Sequence, residues 1–117
     1  NNKIVIYEEN DPLFQGISCI NSDGHTIGQK LIKVDGKRPI VFCGDVIPTQ
    51  FHIPLPYIMG YDLQPLIILE EKRNLFQHAV EENWILFFEH DPYTCAASVK
   101  RENGKYMKNE LFYQDNF

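Results

Sequence analysis

Two apolar runs, "IVFC" at 40–43 and "WILFF" at 84–88, flank a segment with helical periodicity. Ile68, Leu69, Leu75, Phe76, Ala79 and Val80 recur at spacings of three and four, opposite Glu70, Glu71, Arg73, Asn74, Gln77 and Glu81. That pattern predicts an amphipathic helix over 65–83. Strand, helix, strand is a crossover, and a crossover normally returns its second strand parallel to the first. Both strands then end at one edge of one sheet. Neither run alternates, so each strand is expected to be covered on both faces.

The remaining segments read as strands and turns. "KIVIY" (3–7), "ISCIN" (17–21), "QKLIKV" (29–34) and "RPIVFC" (38–43) are apolar runs, and the last two flank Asp35-Gly36-Lys37, a hairpin signal. A second such signal, Asn103-Gly104, separates "CAASVKR" from "KYMKNELFY". Residues 46–64 hold Pro48, Pro54, Pro56 and Gly60 among aromatics, which argues against regular structure there. The 117 residues fit a single domain, and 44% hydrophobic content excludes a disordered chain.

Composition removes several function classes. The net charge is −5 and no basic cluster exceeds Lys100-Arg101, so a nucleic-acid partner is not expected. No run approaches the ~18 apolar residues of a membrane span. The three cysteines, Cys19, Cys43 and Cys95, are widely spaced and form no C-x-x-C pair, which fits a reducing, cytoplasmic location. The chain opens Asn1-Asn2-Lys3 without methionine, as part of a longer protein would.

The chemistry gathers at one rim. A two-residue turn at Asp35-Gly36 sets Thr26 opposite Asp45, and a three-residue loop sets Ile27 there. In either register His25 and Asp45 emerge side by side, with facing Cβ atoms roughly 5 Å apart. Asp45 and His90 follow the two parallel strands, so topology brings His25, Asp45 and His90 to the edge where such sheets bind ligands. Imidazole and carboxylate suit Zn²⁺ at ~2.0–2.2 Å. Gly24 and Gly44 precede two of the three residues, and Pro92 stiffens the exit from the third. Taken singly, each has an ordinary reading, a turn-forming aspartate or a solvated loop histidine.

With these residues in place, "GHTIG" (24–28), "FCGDVIPT" (42–49) and "FFEHDP" (87–92) resemble, in order and spacing, the metallo-β-lactamase superfamily of zinc-dependent hydrolases. The resemblance runs from about residue 17 to 104. It implies half of an αββα sandwich, an α+β fold with a mixed sheet and one main helix. It implies that His25 ligates one zinc, that Asp45 bridges two and is central to catalysis, and that His90 completes the second. It further implies a metal-bound hydroxide as nucleophile on an ester, lactone, phosphoester or thioester of a small-molecule substrate. The family's H-x-H-x-D-H motif, which lies in the preceding half, is absent from these residues. The chain therefore resembles the C-terminal half alone, expected to be inactive and to hold metal weakly or not at all by itself, whereas the full-length parent would hold two zinc ions.

Other residues keep two readings. His52, Tyr57 and Tyr61 either line the substrate pocket or plug a loop against the core. Asp62 belongs to the same pocket or caps the following helix. Tyr93 adjoins His90, His78 falls among surface positions, and neither Cys43 nor Cys95 has a base beside it in sequence. The alternative to a hydrolase half is a standalone, non-enzymatic α/β interaction module whose His and Asp are incidental. One long helix covers only one sheet face, so the other is expected to be apolar and to drive homo-oligomer formation. In the competing arrangement the hairpin at 94–113 folds over that face and the chain stays monomeric.

Overall fold

The structure, a computed structural model, describes residues 4–6, 8, 13–58, 60 and 62–116. Six strands form one mixed sheet in sequence order: β1 (Ile17–Ser22), β2 (Gln29–Val34), β3 (Ile40–Phe42), β4 (Ile85–Phe87), β5 (Ala96–Glu102) and β6 (Lys105–Phe112). Every neighbouring pair is antiparallel except β3 and β4. That parallel pair, Ile40 beside Ile85 and Phe42 beside Phe87, is joined by the crossover helix α1 (Pro65–Glu81). β3 and β4 thus end together, as the strand–helix–strand pattern requires.

Helix α1 begins with Pro65 in its first turn, where a missing N–H costs nothing. Its end is a left-handed Asn83, φ 57°, with Trp84 N donating to Ala79 O at 2.9 Å. This six-to-one bond satisfies a terminal carbonyl that would otherwise lack a partner. Ile68, Leu75, Phe76 and Ala79 pack onto Leu31, Val41, Leu86, Ala97 and Val99 of the sheet to form the core. Val80, expected on the apolar face, is partly exposed, and Lys72 is buried there instead.

The first hairpin departs from both expected registers. Val34 pairs with Ile40 and Ile32 with Phe42, so residues 35–39 all lie in the loop and Asp45 continues toward Gln29 rather than Thr26 or Ile27. Pro39 supplies the reason, since it has no N–H to offer β2. Its carbonyl instead accepts from Ile85 N at 2.8 Å, extending the β3–β4 ladder. Arg38 turns outward to Asn83 Oδ1 at 3.0 Å and Glu110 Oε2 at 2.7 Å. The second hairpin has the two-residue turn that its sequence predicts, Glu102 facing Lys105 across left-handed Asn103 and Gly104. A bulge near Ser98 follows, where the Ser98 hydroxyl oxygen accepts from Glu110 N.

Three further expectations are corrected. Ile4, Val5 and Ile6 are exposed and pair with no strand among the described residues; Lys3 and Tyr7 lie outside the described residues. The proline-rich loop contains one 3-10 turn, Gln50–His52, capped by Thr49, whose hydroxyl accepts from Phe51 N. Among the described residues α1 covers one face of the sheet, as a single long helix would, and the two-sided cover expected for β3 and β4 is not seen. On the opposite face Ile32, Phe42 and Phe87 lie in a row across β2, β3 and β4, and Phe42 is 43% exposed. The β5–β6 hairpin extends the sheet and does not fold over this face.

Candidate metal centre

Three loops leave one edge of the sheet and supply the site. The loop after β1 is tied back on itself and to the helix: Gly28 N donates to Asp23 Oδ1 at 2.7 Å, and Gln64 N to Gly24 O at 2.9 Å. Gly24 is required there, since a Cβ would stand 2.7 Å from Ile68 N and 2.4 Å from Ile68 Cγ1. The tether delivers His25 to the rim despite the unforeseen hairpin register. Gly44, at φ +50°, turns the chain after β3 and aims Asp45. His90 follows β4, its backbone N–H bonded to Pro48 O at 3.1 Å, so the loops after the two parallel strands are pinned to each other.

The Asp45 carboxylate lies between the two imidazoles. Its Oδ2 is 3.3 Å from His25 Nε2, and its Oδ1 is 3.0 Å from His90 Nε2. On the far side of the first ring, His25 Nδ1 meets Asp62 Oδ1 at 2.6 Å. A carboxylate on Nδ1 orients the ring so that Nε2 faces Asp45, the arrangement by which a carboxylate sets a metal-binding imidazole. Asp62 is not the cap of α1: that position is Gln64, with no side-chain hydrogen bond to the helix. Glu89 adds a further oxygen, with ligand atoms of Asp45, Glu89 and His90 all within 4.8 Å of one another. Two imidazole nitrogens, each facing a different oxygen of one carboxylate, are a donor set suited to divalent zinc.

The remaining residues fall into distinct places. His52 shares a cleft of about 500 Å³ with His25, Asp45 and His90. Its Nδ1 is 2.8 Å from Thr49 Oγ1, and burial, reinforced by the charge of Lys72 and opposed by Asp62, lowers its pKa. Tyr57 does not line that cleft but the groove beside it, and is largely exposed. Tyr61 lies outside the described residues. Tyr93 and His78 are exposed, His78 stacking on Trp84 with ring centroids 5.8 Å apart. Cys43 is fully buried, and burial drives its thiol far above the ordinary range, so it offers no nucleophile.

Two residues carry more than their sequence context suggests. Lys72 is wholly buried, and its ammonium donates to the carbonyls of Pro54, Leu55 and Tyr57 at 3.0, 3.3 and 2.8 Å. It fastens the proline-rich loop to α1 behind the site. Asp91 accepts from Gln50 N, Tyr93 N and Thr94 N at 3.0, 3.0 and 2.8 Å, and these bonds outweigh its burial to hold its carboxyl below the usual range. It joins the loop after β4 to the 3-10 turn that carries His52.

The mixed sheet with its one crossover helix defines a class: the chain has the fold of part of a metal-dependent hydrolase of the β-lactamase superfamily. It is similar to a probable metal-dependent hydrolase from Staphylococcus aureus, with a TM-score of 0.84 and 22% identity over 99% of this chain. It is also similar to the hydrolase AbOPH of the beta lactamase superfamily, with a TM-score of 0.76 and 25% identity over 93% of the chain. A third likeness is to AidC, a dizinc quorum-quenching lactonase in complex with a product, with a TM-score of 0.73 and 16% identity over 88%. The chain spans only 42%, 38% and 36% of those three proteins, respectively. No protein-family model and no curated protein matches the sequence. No helix among the described residues is long and apolar enough to cross a membrane.

Proposed function

We propose that this chain is the C-terminal half of a zinc-dependent hydrolase that cleaves a small-molecule ester, lactone, phosphoester or thioester. The observation that carries the reading is the Asp45 carboxylate, set with one oxygen toward His25 and the other toward His90 at 3.3 and 3.0 Å. A carboxylate so placed suits a bridge between two cations. His25, oriented by Asp62, would hold one, and His90 the other. Bound zinc lowers the pKa of its water toward ~7 and polarises the scissile group. His52 lines the same cleft and would face a substrate bound there. The cation at His25 would find two protein ligands in this chain, His25 and Asp45, fewer than the roughly three that a catalytic zinc needs, and the cation at His90 reaches three only with the exposed Glu89. Alone it binds zinc weakly, and submicromolar affinity in a monomeric sample would contradict this.

The test is hydrolysis by the protein at its natural length, assayed on one substrate of each bond type. At least one is expected to turn over, and to stop doing so on chelation and in Asp45→Ala, with the circular dichroism spectrum unchanged. Undiminished turnover by Asp45→Ala would overturn the reading.

The apolar face bearing Ile32, Phe42 and Phe87 supports a second element of the proposal. In the whole hydrolase the remainder of the protein covers this face. In the isolated chain a second copy covers it, giving a homo-oligomer joined through its sheets.

A further inference from the structure

Beside the metal cleft runs a second groove of about 540 Å³, and His52 and Ile58 form the wall common to both. Its sides are mainly apolar, from Phe51, Pro54, Pro56, Tyr57 and Met107. Lys108 also lines it and is held in place: Nζ donates to Gln50 Oε1 at 2.8 Å and stands 5.0 Å from the centre of the Phe51 ring. Gln50 is itself buried and fixed, its Nε2 donating to Thr94 Oγ1 at 2.6 Å. Among the described residues, the lysine and arginine ion pairs join Lys33 to Asp35, Arg38 to Glu110, Arg73 to Glu70 and Lys100 to Glu102, and none involves Lys108. A neutral amide oxygen positions this ammonium without cancelling its charge.

We propose that this groove is the specificity subsite of the hydrolase, and that it selects substrates whose apolar body ends in an anionic group read by Lys108. The inference rests on the hydrolase reading for its meaning, but the groove is a binding site in its own right. The apolar walls would take up the body of the ligand, and the groove adjoins the metal cleft along His52 and Ile58. The ammonium retains N–H donors for a carboxylate or a phosphate oxygen, a charge-assisted bond that an uncharged end group cannot make. Tyr57 is then a wall of the groove and not a neighbour of the cations.

Calorimetric titration of the protein at its natural length with octanoate, octyl phosphate and octanamide tests this without any turnover. At least one of the two anions is expected to bind about fivefold or more tightly than the amide, a preference of the size an exposed charged pair supplies. Comparing octanoate with octyl phosphate identifies the anion. Lys108→Met is expected to erase the preference and Lys108→Arg to keep it, with Lys108→Gln replacing the methionine variant if that one misfolds. A preference that survives both neutral substitutions would place the anion on the cations and overturn the proposal, as would equal binding of all three probes. Failure of the hydrolase reading shows separately, as absent metal and absent turnover in a protein that still discriminates the probes.

Discussion

The Nδ1 of His25 lies 2.6 Å from Oδ1 of Asp62, a carboxylate only 2% exposed. Asp62 stands 37 positions further along the chain, in the loop that leads into α1, and it turns the imidazole so that Nε2 faces Asp45. The pair links the orientation of a proposed ligand to the docking of the loop after Tyr57.

If Asp62 orients His25, then Asp62→Ala should weaken zinc binding by the protein at its natural length about 10- to 100-fold. Competition against a chromophoric chelator measures this directly. An unchanged affinity would show that His25 needs no such partner.

Lys72 gives a pH signature. Burial lowers its pKa from 10.5 to about 8, with the charge of Asp62 opposing the shift. Between those two values the unfolded chain keeps a proton that the folded chain has released, so this group makes stability rise with pH through that window. Below it, the buried ammonium is at its most costly. Relative to Lys72→Met, the wild type should gain up to about 3 kcal/mol between roughly pH 8 and pH 10.5, by denaturant titration at several pH values. Parallel pH dependence of the two proteins would exclude a depressed lysine.

A methyl group at Gly24 would strike the backbone N of Ile68 at 2.7 Å, and helix backbone cannot swing aside as a flexible side chain can. Gly24→Ala should therefore cost about 1–3 kcal/mol of stability and displace His25. Weaker zinc binding should accompany the lower melting temperature. A variant with wild-type stability and metal affinity would mean that the loop after β1 is not anchored as described.

Most of this architecture was legible because it follows from periodicity and topology. Helix α1, the parallel pairing of β3 with β4, and the turn at Asn103-Gly104 each rest on a local pattern strong enough to fix the element. The first hairpin departs from its signal because Asp35-Gly36 marks a turn without fixing its length, and Pro39 removes the donor a tight pairing needs. Lys72 was invisible as a core residue because its charge is satisfied by three carbonyls of a loop that no periodicity places. The link from His25 to Asp62 joins two loops of irregular structure, and Glu89, one position before His90, reads in sequence as an ordinary exposed acid. Spacing therefore conveyed which strands end together, while the partners that orient the side chains came from loop geometry.

Phe42 and Phe87 lie 4.9 Å apart between ring centroids on the sheet face opposite α1. If a second copy covers that face, the isolated chain should sediment as a dimer or larger species at micromolar concentration. Phe42→Asp should then return it to a monomer, since a charge is costly in an apolar interface. A clean monomer mass for the wild-type chain would contradict self-association.

If Asp45 is shared by two cations, the number of metal ions bound shows it most directly. Elemental analysis of the protein at its natural length, purified without chelator, should find about two zinc or similar divalent ions per chain. Asp45→Ala should hold distinctly fewer while keeping its fold. Absence of transition metal from the wild type, or an undiminished count in Asp45→Ala, would contradict the account.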